Sequence, residues 1–214
     1  MSFWKQRGII HRTYGGALLR NSVYNDPSLE EKQKLHAEEK KRIGIEAARM
    51  ISDGETILLD SGTTTREIAM QIKEHKNLTV MTNAINIALE LAGIQDITVM
   101  LTGGMLREKS YSLVGPEAES TMQNYYFDKL FLGVDGLDFN YGLTTSHPQE
   151  AKLNRLMVEH SNQVIGVTDS SKFGRHSFSF ICDLSPISTL VTDTNITPEF
   201  ESKLQEHSVR VIKV

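Results

Sequence analysis

One cysteine, Cys182, is all that the 214 residues contain. A lone thiol excludes an intrachain disulfide framework and a cysteine-rich zinc site, and it is expected to pack as a small apolar side chain. Positive charge is scarce too. Lys and Arg number 23 against 27 Asp and Glu, a formal charge of −4. The basic stripe of a general nucleic-acid binder is therefore missing. No apolar run approaches the roughly 20 residues needed to cross a bilayer. The opening MSFWKQRG has no hydrophobic signal segment. These absences point to a soluble, cytoplasmic protein with no membrane partner. Metal chemistry finds little support. His36, His75, His160, His176 and His207 are scattered, and His147 has no second ligand at metal spacing. No metal and no cofactor is expected.

What is present is ordinary globular composition, 39% apolar and 23% charged, in a chain long enough for one large α/β domain or a domain with an appendage. Residues 1–35 differ from the rest. RGIIHRTYGGALLR is short and basic with a hairpin-like Gly15-Gly16 pair, and NSVYNDPSLEEKQKL after it is polar, extended or loosely helical. From Leu35 to Ser52, Ile43, Ala47, Ala48 and Ile51 share a helical face, and Asp53-Gly54 ends that helix. Alternation follows. Strands are predicted at 56–60, 78–82, 97–103, 128–136, 162–169, 188–193 and 209–214. Helices are predicted at 64–75, 83–93, near 115–124, at 147–161 and over EFESKLQEH. Near-continuous apolar strands alternating with helices give a mostly parallel, doubly wound α/β sheet with helices on both faces.

The polar clusters fall at the strand ends: DSGTTT, Thr82-Asn83, Thr102-Gly103-Gly104, Asp135-Gly136, Asp169-Ser170-Ser171-Lys172 and Thr192-Asp193. In an open parallel sheet all carboxyl ends lie along one edge, where ligands bind at the switch in strand order. The first cluster has two readings. Asp60, Ser61, Gly62, Thr63, Thr64 and Thr65 are either a loop with an ordinary helix cap, or a cradle for an anion on main-chain N–H groups, a helix N-terminus and hydroxyls. It is neither a Walker A loop nor a dinucleotide fingerprint, since Gly-Lys-[Ser/Thr] and G-x-G-x-x-G are absent. Lys172 can charge-pair with the same anion and Asp169 can accept a sugar hydroxyl; equally, Asp169 caps a turn and Lys172 is solvated. Gly103-Gly104 and Asp135-Gly136 read as site residues or as tight turns. Glu150 opens a helix behind His147-Pro148, as a base or nucleophile or as a first-turn carboxylate favoured by the dipole.

The ordered runs EEKKRIGIEAARMISDGETILLDSGTTTREIA, VMTNAINIALEL, VMLTGGMLREKSYSLVGPEAE, FDKLFLGVDGLDFNYGLTT, EAKLNRLM and VTDSSKFGR resemble the C-terminal effector-sensing domain of DeoR-family transcriptional repressors. The resemblance spans about residues 8 to 195. It implies a Rossmann-like fold related to ribose-5-phosphate isomerase, glucosamine-6-phosphate deaminase and CoA-transferases, and a phosphorylated sugar as inducer at the strand ends. Matched onto this sequence, the family motif places Asp60, Gly62, Thr63, Thr64, Asn83, Gly103, Gly104, Gly133, Asp135, Glu150, Asp169 and Lys172 at the ligand, with Lys40 also on pattern. The implied division is a remnant of a winged helix-turn-helix wing at 1–20, a linker at 21–35 and the sensing domain at 36–214. Most of the DNA-binding module is missing from that match, so operator DNA is expected to be read only by a form that carries it. Many family members carry Lys where this chain has Asn154, and the motif forms lean toward the branch with repressors of amino-sugar operons. Homodimers or homotetramers are implied. The competing reading is a sugar-phosphate isomerase or deaminase, with Glu150 as its base. A further one is a short paralogue that joins full-length subunits.

Overall fold

The computed structural model describes residues 10–13, 16–19 and 26–214. The tip of the expected hairpin at Gly15, the opening MSFWKQRG and the first part of the expected linker, 21–25, lie outside the described residues. Strand β1 (Ile10–Thr13) pairs antiparallel with β2 (Gly16–Leu19). The polar stretch after it holds a real helix, α1 (Leu29–Lys34). Ser28 starts it with a capping box: its Oγ accepts from Glu31 N–H while the Glu31 carboxylate accepts from Ser28 N–H.

Helix α2 (Ala37–Ala48) then leads into the alternating part. Its order is β3 (Thr56–Leu59), α3 (Thr63–Gln71), β4 (Leu78–Thr82), α4 (Ile85–Leu91) and β5 (Ile97–Leu101). A hairpin of β6 (Met105–Arg107) and β7 (Ser112–Val114) precedes α5 (Pro116–Met122) and β8 (Phe127–Leu132). A second hairpin, β9 (Gly136–Asp138) and β10 (Gly142–Thr145), precedes α6 (Pro148–Glu159) and β11 (Ser161–Val167). The chain closes with β12 (Ser179–Cys182), β13 (Ile187–Thr192), α7 (Pro198–Glu206) and β14 (Arg210–Lys213). Helices α5, α6 and α7 each begin with proline, whose missing N–H costs nothing at a first turn.

Seven strands form one parallel sheet in the order β14-β13-β11-β8-β3-β4-β5. Period-two alternation splits the core across it. Ile57, Leu59, Val80, Phe131, Ile165 and Val191 meet α2, α3 and α4. Leu58, Met81, Leu130, Val164 and Leu190 meet α5, α6 and α7. Both faces are covered, as an all-parallel sheet requires. Helix α2 lies against α3 at Gly44, where an added Cβ would stand 2.5 Å from the Cβ of Glu67. Cys182 packs against the second of these clusters, as the sequence suggests.

The seven predicted main strands all form, with ends shifted by a few residues. The short strands β6, β7, β9, β10 and β12 escape the sequence pattern: at three or four residues each, they are too brief for a period to show.

Candidate functional site

Strand β3 leads outward to β4 and β5, while its neighbour β8 leads the other way to β11, β13 and β14. The switch in direction therefore lies between β3 and β8. The loop after β3 is DSGTTT, and the loop after β8 carries Gly133 and Asp135. Beside them the loop after β11 brings Thr168, Asp169 and Lys172. Together these loops line a cavity of about 330 Å³. Of the residues expected at a ligand, Asp60, Ser61, Gly62, Thr63, Thr64, Gly133, Asp135, Glu150, Asp169 and Lys172 all line it.

The hydroxyl loop does not end in an ordinary cap. Among the described residues no side chain caps the first turn of helix α3. Its first such main-chain bond runs from Arg66 N–H to Gly62 carbonyl, 3.2 Å. The earlier N–H groups are left open, and Gly62, Thr63 and Thr64 stand on the cavity wall. The main-chain N–H groups of Ser61 and Gly133, at the ends of β3 and β8, favour the charged form of the Asp60 carboxylate.

Cations gather nearby. Lys172, Arg175 and Lys40 line the same cavity. Lys40 donates to the Lys32 carbonyl at 2.5 Å and the Leu35 carbonyl at 2.6 Å, both at the end of α1. Burial, with Lys172 adding repulsion against the pull of Asp169, brings its pKa down to about 8. Asp169 accepts from Ser171 N–H at 3.1 Å and from the Ser171 hydroxyl, so it does cap the short 3-10 turn 170–172. Asp193 holds the same turn through Ser170 N–H at 2.7 Å.

The carboxylates differ from one another. Burial opposes ionisation of Asp135, but the Lys32 ammonium at 2.7 Å holds its pKa at about 2. Asp135 also accepts from Ser146 N–H and the Thr145 hydroxyl. One oxygen of Glu150 is spent on structure. Its Oε1 accepts from Ser110 at 2.6 Å, Ser112 at 2.7 Å and Arg107 at 3.0 Å, fastening α6 to the β6–β7 hairpin. Arg107 also pairs with Asp26, whose other oxygen accepts from Ser146 at 2.8 Å. Among the described residues Asp60 has no such cation. Burial first, then the charge of Glu150, push its pKa well above the ordinary 3.8. With its amide turned to suit the acceptors around it, Asn154 donates to Asp60 at 3.2 Å and to the Glu150 carbonyl at 3.1 Å.

Five expected residues stand outside the cavity wall. Thr65 is buried and donates to the Gly62 carbonyl. Thr82 accepts from Ala84 N–H at 3.1 Å. Asn83 donates to Ser61 Oγ at 3.4 Å, so it backs the loop from behind. Gly103 and Gly104, at φ of +71° and +102°, make the turn into β6. No sequence pattern singles out Lys32 or Arg175, and Asn154 stands out only as a departure from the family. Asn154 lies one helical turn after Glu150, which signals a shared face. Lys32 lies in a polar stretch with no periodicity to flag it.

The model of the DeoR C terminal sensor domain matches residues 35–194. The chain belongs to the DeoR family. A putative aga operon transcriptional repressor of Escherichia coli O157:H7 is 40% identical over 216 residues, covering 100% of this chain and 80% of that protein. The glycerol-3-phosphate regulon repressor of Escherichia coli K12 is 30% identical over 206 residues, covering 96% of this chain and 81% of that protein. Among solved structures, ribose 5-phosphate isomerase A of Methanocaldococcus jannaschii aligns at a TM-score of 0.48 and 14% identity, covering 64% of this chain and 55% of that one. The DeoR match begins at residue 35, so α1 and Lys32 lie just before it.

Proposed function

We propose that this chain is the sensing part of a DeoR-type transcriptional repressor, and that its cavity binds a phosphorylated sugar as inducer. The observation that carries the reading is the uncapped first turn of α3 on the cavity wall. Open N–H groups at a helix N-terminus favour an anion. Lys40 and Lys172 supply charge beside Thr63 and Thr64, and Asp135 and Asp169 offer acceptors for sugar hydroxyls. Thr65, Thr82, Asn83 and the Gly103-Gly104 turn support the loops from behind. The likeness to a repressor of a glycerol-3-phosphate regulon supports a phosphorylated effector.

An isomerase or deaminase needs a base free to take a carbon-bound proton. Glu150 was the candidate, and one of its oxygens is saturated by three donors. The sensor reading is the better one. Operator DNA would then be engaged through a winged helix module joined upstream, in a homodimer or homotetramer matched to two-fold half-sites.

The test is the Thr63→Val, Thr64→Val double variant, which keeps shape and removes both hydroxyls. A sugar phosphate at a hundred times its dissociation constant adds about 2.7 kcal/mol of stability, seen as roughly 2–4 °C of melting shift per kcal/mol. The parent shifts with phosphorylated sugars but not with their unphosphorylated forms, and the compounds are recovered unchanged. The double variant loses the shift. Equal shifts in parent and variant would remove the cradle; turnover of the ligand would restore the enzyme reading.

A further inference from the structure

The seven-stranded sheet ends on β5 at one side and on β14 at the other. The sequence treats these two edges differently. β14 begins with Arg210 and ends with Lys213, which Glu201 holds at 2.8 Å. Charged side chains of this kind keep an edge from pairing with another strand. β5 reads Ile97, Thr98, Val99, Met100, Leu101 and carries no charge. Among the described residues it pairs with β4 alone. The small three-stranded sheet shows the other remedy, which is cover. Arg155 donates to the Phe180 carbonyl on β12, and Gly174 N–H donates to the Leu137 carbonyl on β9 at 2.9 Å. Among the described residues, β5 has neither charge nor cover. Apolar side chains also stand out around it. None of its five residues is buried, and Leu101 is 44% exposed. Past the Gly103-Gly104 turn, Met105 and Leu106 are 55% and 50% exposed. Leu89 is 71% exposed on α4, the helix that packs on β5. Its neighbour Glu90 reaches toward α3 through Arg66 and Lys73, while Ile87, Ala88 and Leu91 face the core. Leu89 is thereby left on the flank of α4 away from α3. Grouped apolar exposure of this kind marks an interaction surface.

We propose that β5 and these flanking side chains are where two copies of this chain join, their β5 strands pairing antiparallel about a two-fold axis into one continuous sheet. A two-fold sets a strand against its own twin, so self-pairing demands a strand that does not repel itself. β5 meets its twin with aliphatic side chains and one threonine. β14 would bring Arg210 and Lys213 against their own like charges, which is destabilising. The contact is also closed: once two β5 edges meet, neither is left to recruit a third copy. Five-residue strands alone cover too little, since each partner of a stable pair buries about 800 Å². Leu89, Leu101, Met105 and Leu106 widen the contact. β4 stands between β5 and β3, so the switch-point cavity stays open in the pair. The function proposed above needs a two-fold assembly without saying which surface makes it; this inference supplies the surface and does not depend on the ligand.

The experiment is sedimentation equilibrium of the chain beside two variants. Thr98→Lys with Leu101→Lys places charge on the proposed edge, at side chains already exposed in the single chain. Phe180→Lys, at a 52% exposed residue of the covered β12 edge, is the control. The parent is expected to be an even-numbered oligomer. The double variant should have half its mass, with a dissociation constant raised about a hundredfold by like-charge repulsion. The control should keep the parent's mass. Amide exchange is the second readout and needs no variant: over residues 97–101 it should slow as the parent is concentrated, while residues 210–213 show no change. A parent that stays monomeric at high concentration overturns the inference. So does an oligomer whose mass survives the double substitution, which would leave the two-fold assembly standing on another surface. Concentration-independent exchange in β5 overturns it even where the double variant fails to fold. None of these outcomes bears on the sugar-phosphate reading, which stands or falls with the melting shifts.

Discussion

Lys32 and Asp135 are 103 positions apart in the chain and 2.7 Å apart in space. The pair joins α1 to the loop at the switch point. A second latch lies beside it, from Lys40 to the carbonyls of Lys32 and Leu35. Both latches use groups that a sugar phosphate would also engage: Asp135 for hydroxyls, Lys40 for phosphate. Under the proposed function, a ligand on Asp135 or Lys40 would loosen or tighten α1, which stands between the β1–β2 hairpin and the sheet in the chain. A ligand shifts that balance only by its differential affinity for the two arrangements.

Lys32→Ala removes one latch and leaves Asp135 without its cation. The pair is mostly buried, and a hydrogen bond between charged groups in such a place is worth about 2 kcal/mol. Hydrogen exchange should quicken over residues 29–34 while strands β3 and β8 keep their protection. Unchanged exchange in α1 would show that the latch does not hold the helix.

Lys40 gives a proton-linked signature. In the folded chain its pKa is about 8 against an ordinary 10.5. Between those values the unfolded chain binds more protons, so this group makes stability rise as pH climbs from about 8 to 10.5. A phosphate beside Lys40 favours its charged form and restores the missing proton. Binding near pH 9 should therefore take up a fraction of a proton, read as different calorimetric heats in buffers of different ionisation enthalpy. Lys40→Met should abolish that difference.

Much of this arrangement is legible in the sequence, and the rest is hidden for identifiable reasons. The DSGTTT loop, Asp135, Asp169 and Lys172 are visible because they follow apolar strands, and every strand of a parallel sheet delivers its end to one edge. The pairing of particular charges is not visible. Glu150 looks equally like a base and a first-turn carboxylate until Ser110, Ser112 and Arg107 are found on its Oε1. Those three come from a hairpin whose strands are too short to leave a periodic trace. Thr82 and Asn83 share the strand-end position of the cavity residues, yet they stand behind the loop. Position along a strand fixes the edge of the sheet, but not which of its polar side chains reach the cavity.

Asp60 and Asp135 should pull stability in opposite directions as pH changes. Asp135 has its folded pKa lowered to about 2, so its contribution is full above the ordinary 3.8 and is lost as pH falls toward 2. Asp60 has its folded pKa raised, so the unfolded chain ionises first and stability falls as pH rises above 3.8. Asp60→Asn is therefore expected to melt higher than the parent at neutral pH, with the gain shrinking as pH is lowered toward 3.8. A variant that melts lower at neutral pH would mean that the ionised carboxylate is stabilised by something other than the neutral groups around it.

Gly44→Ala sets helix propensity against packing. In an exposed helix interior, alanine would gain about 1 kcal/mol over glycine. Here the new Cβ would stand 2.5 Å from Glu67 Cβ and 2.8 Å from the Glu67 carbonyl carbon. Main chain cannot swing aside as a flexible side-chain end can, so α2 and α3 must separate. Overpacking of this kind costs roughly 1–3 kcal/mol and propagates through the shared core of Ile43, Ala47 and Ile68. The packing effect should win, giving a variant that unfolds at lower denaturant with an unchanged slope. A variant as stable as the parent would show that the two helices part more easily than their close contact implies.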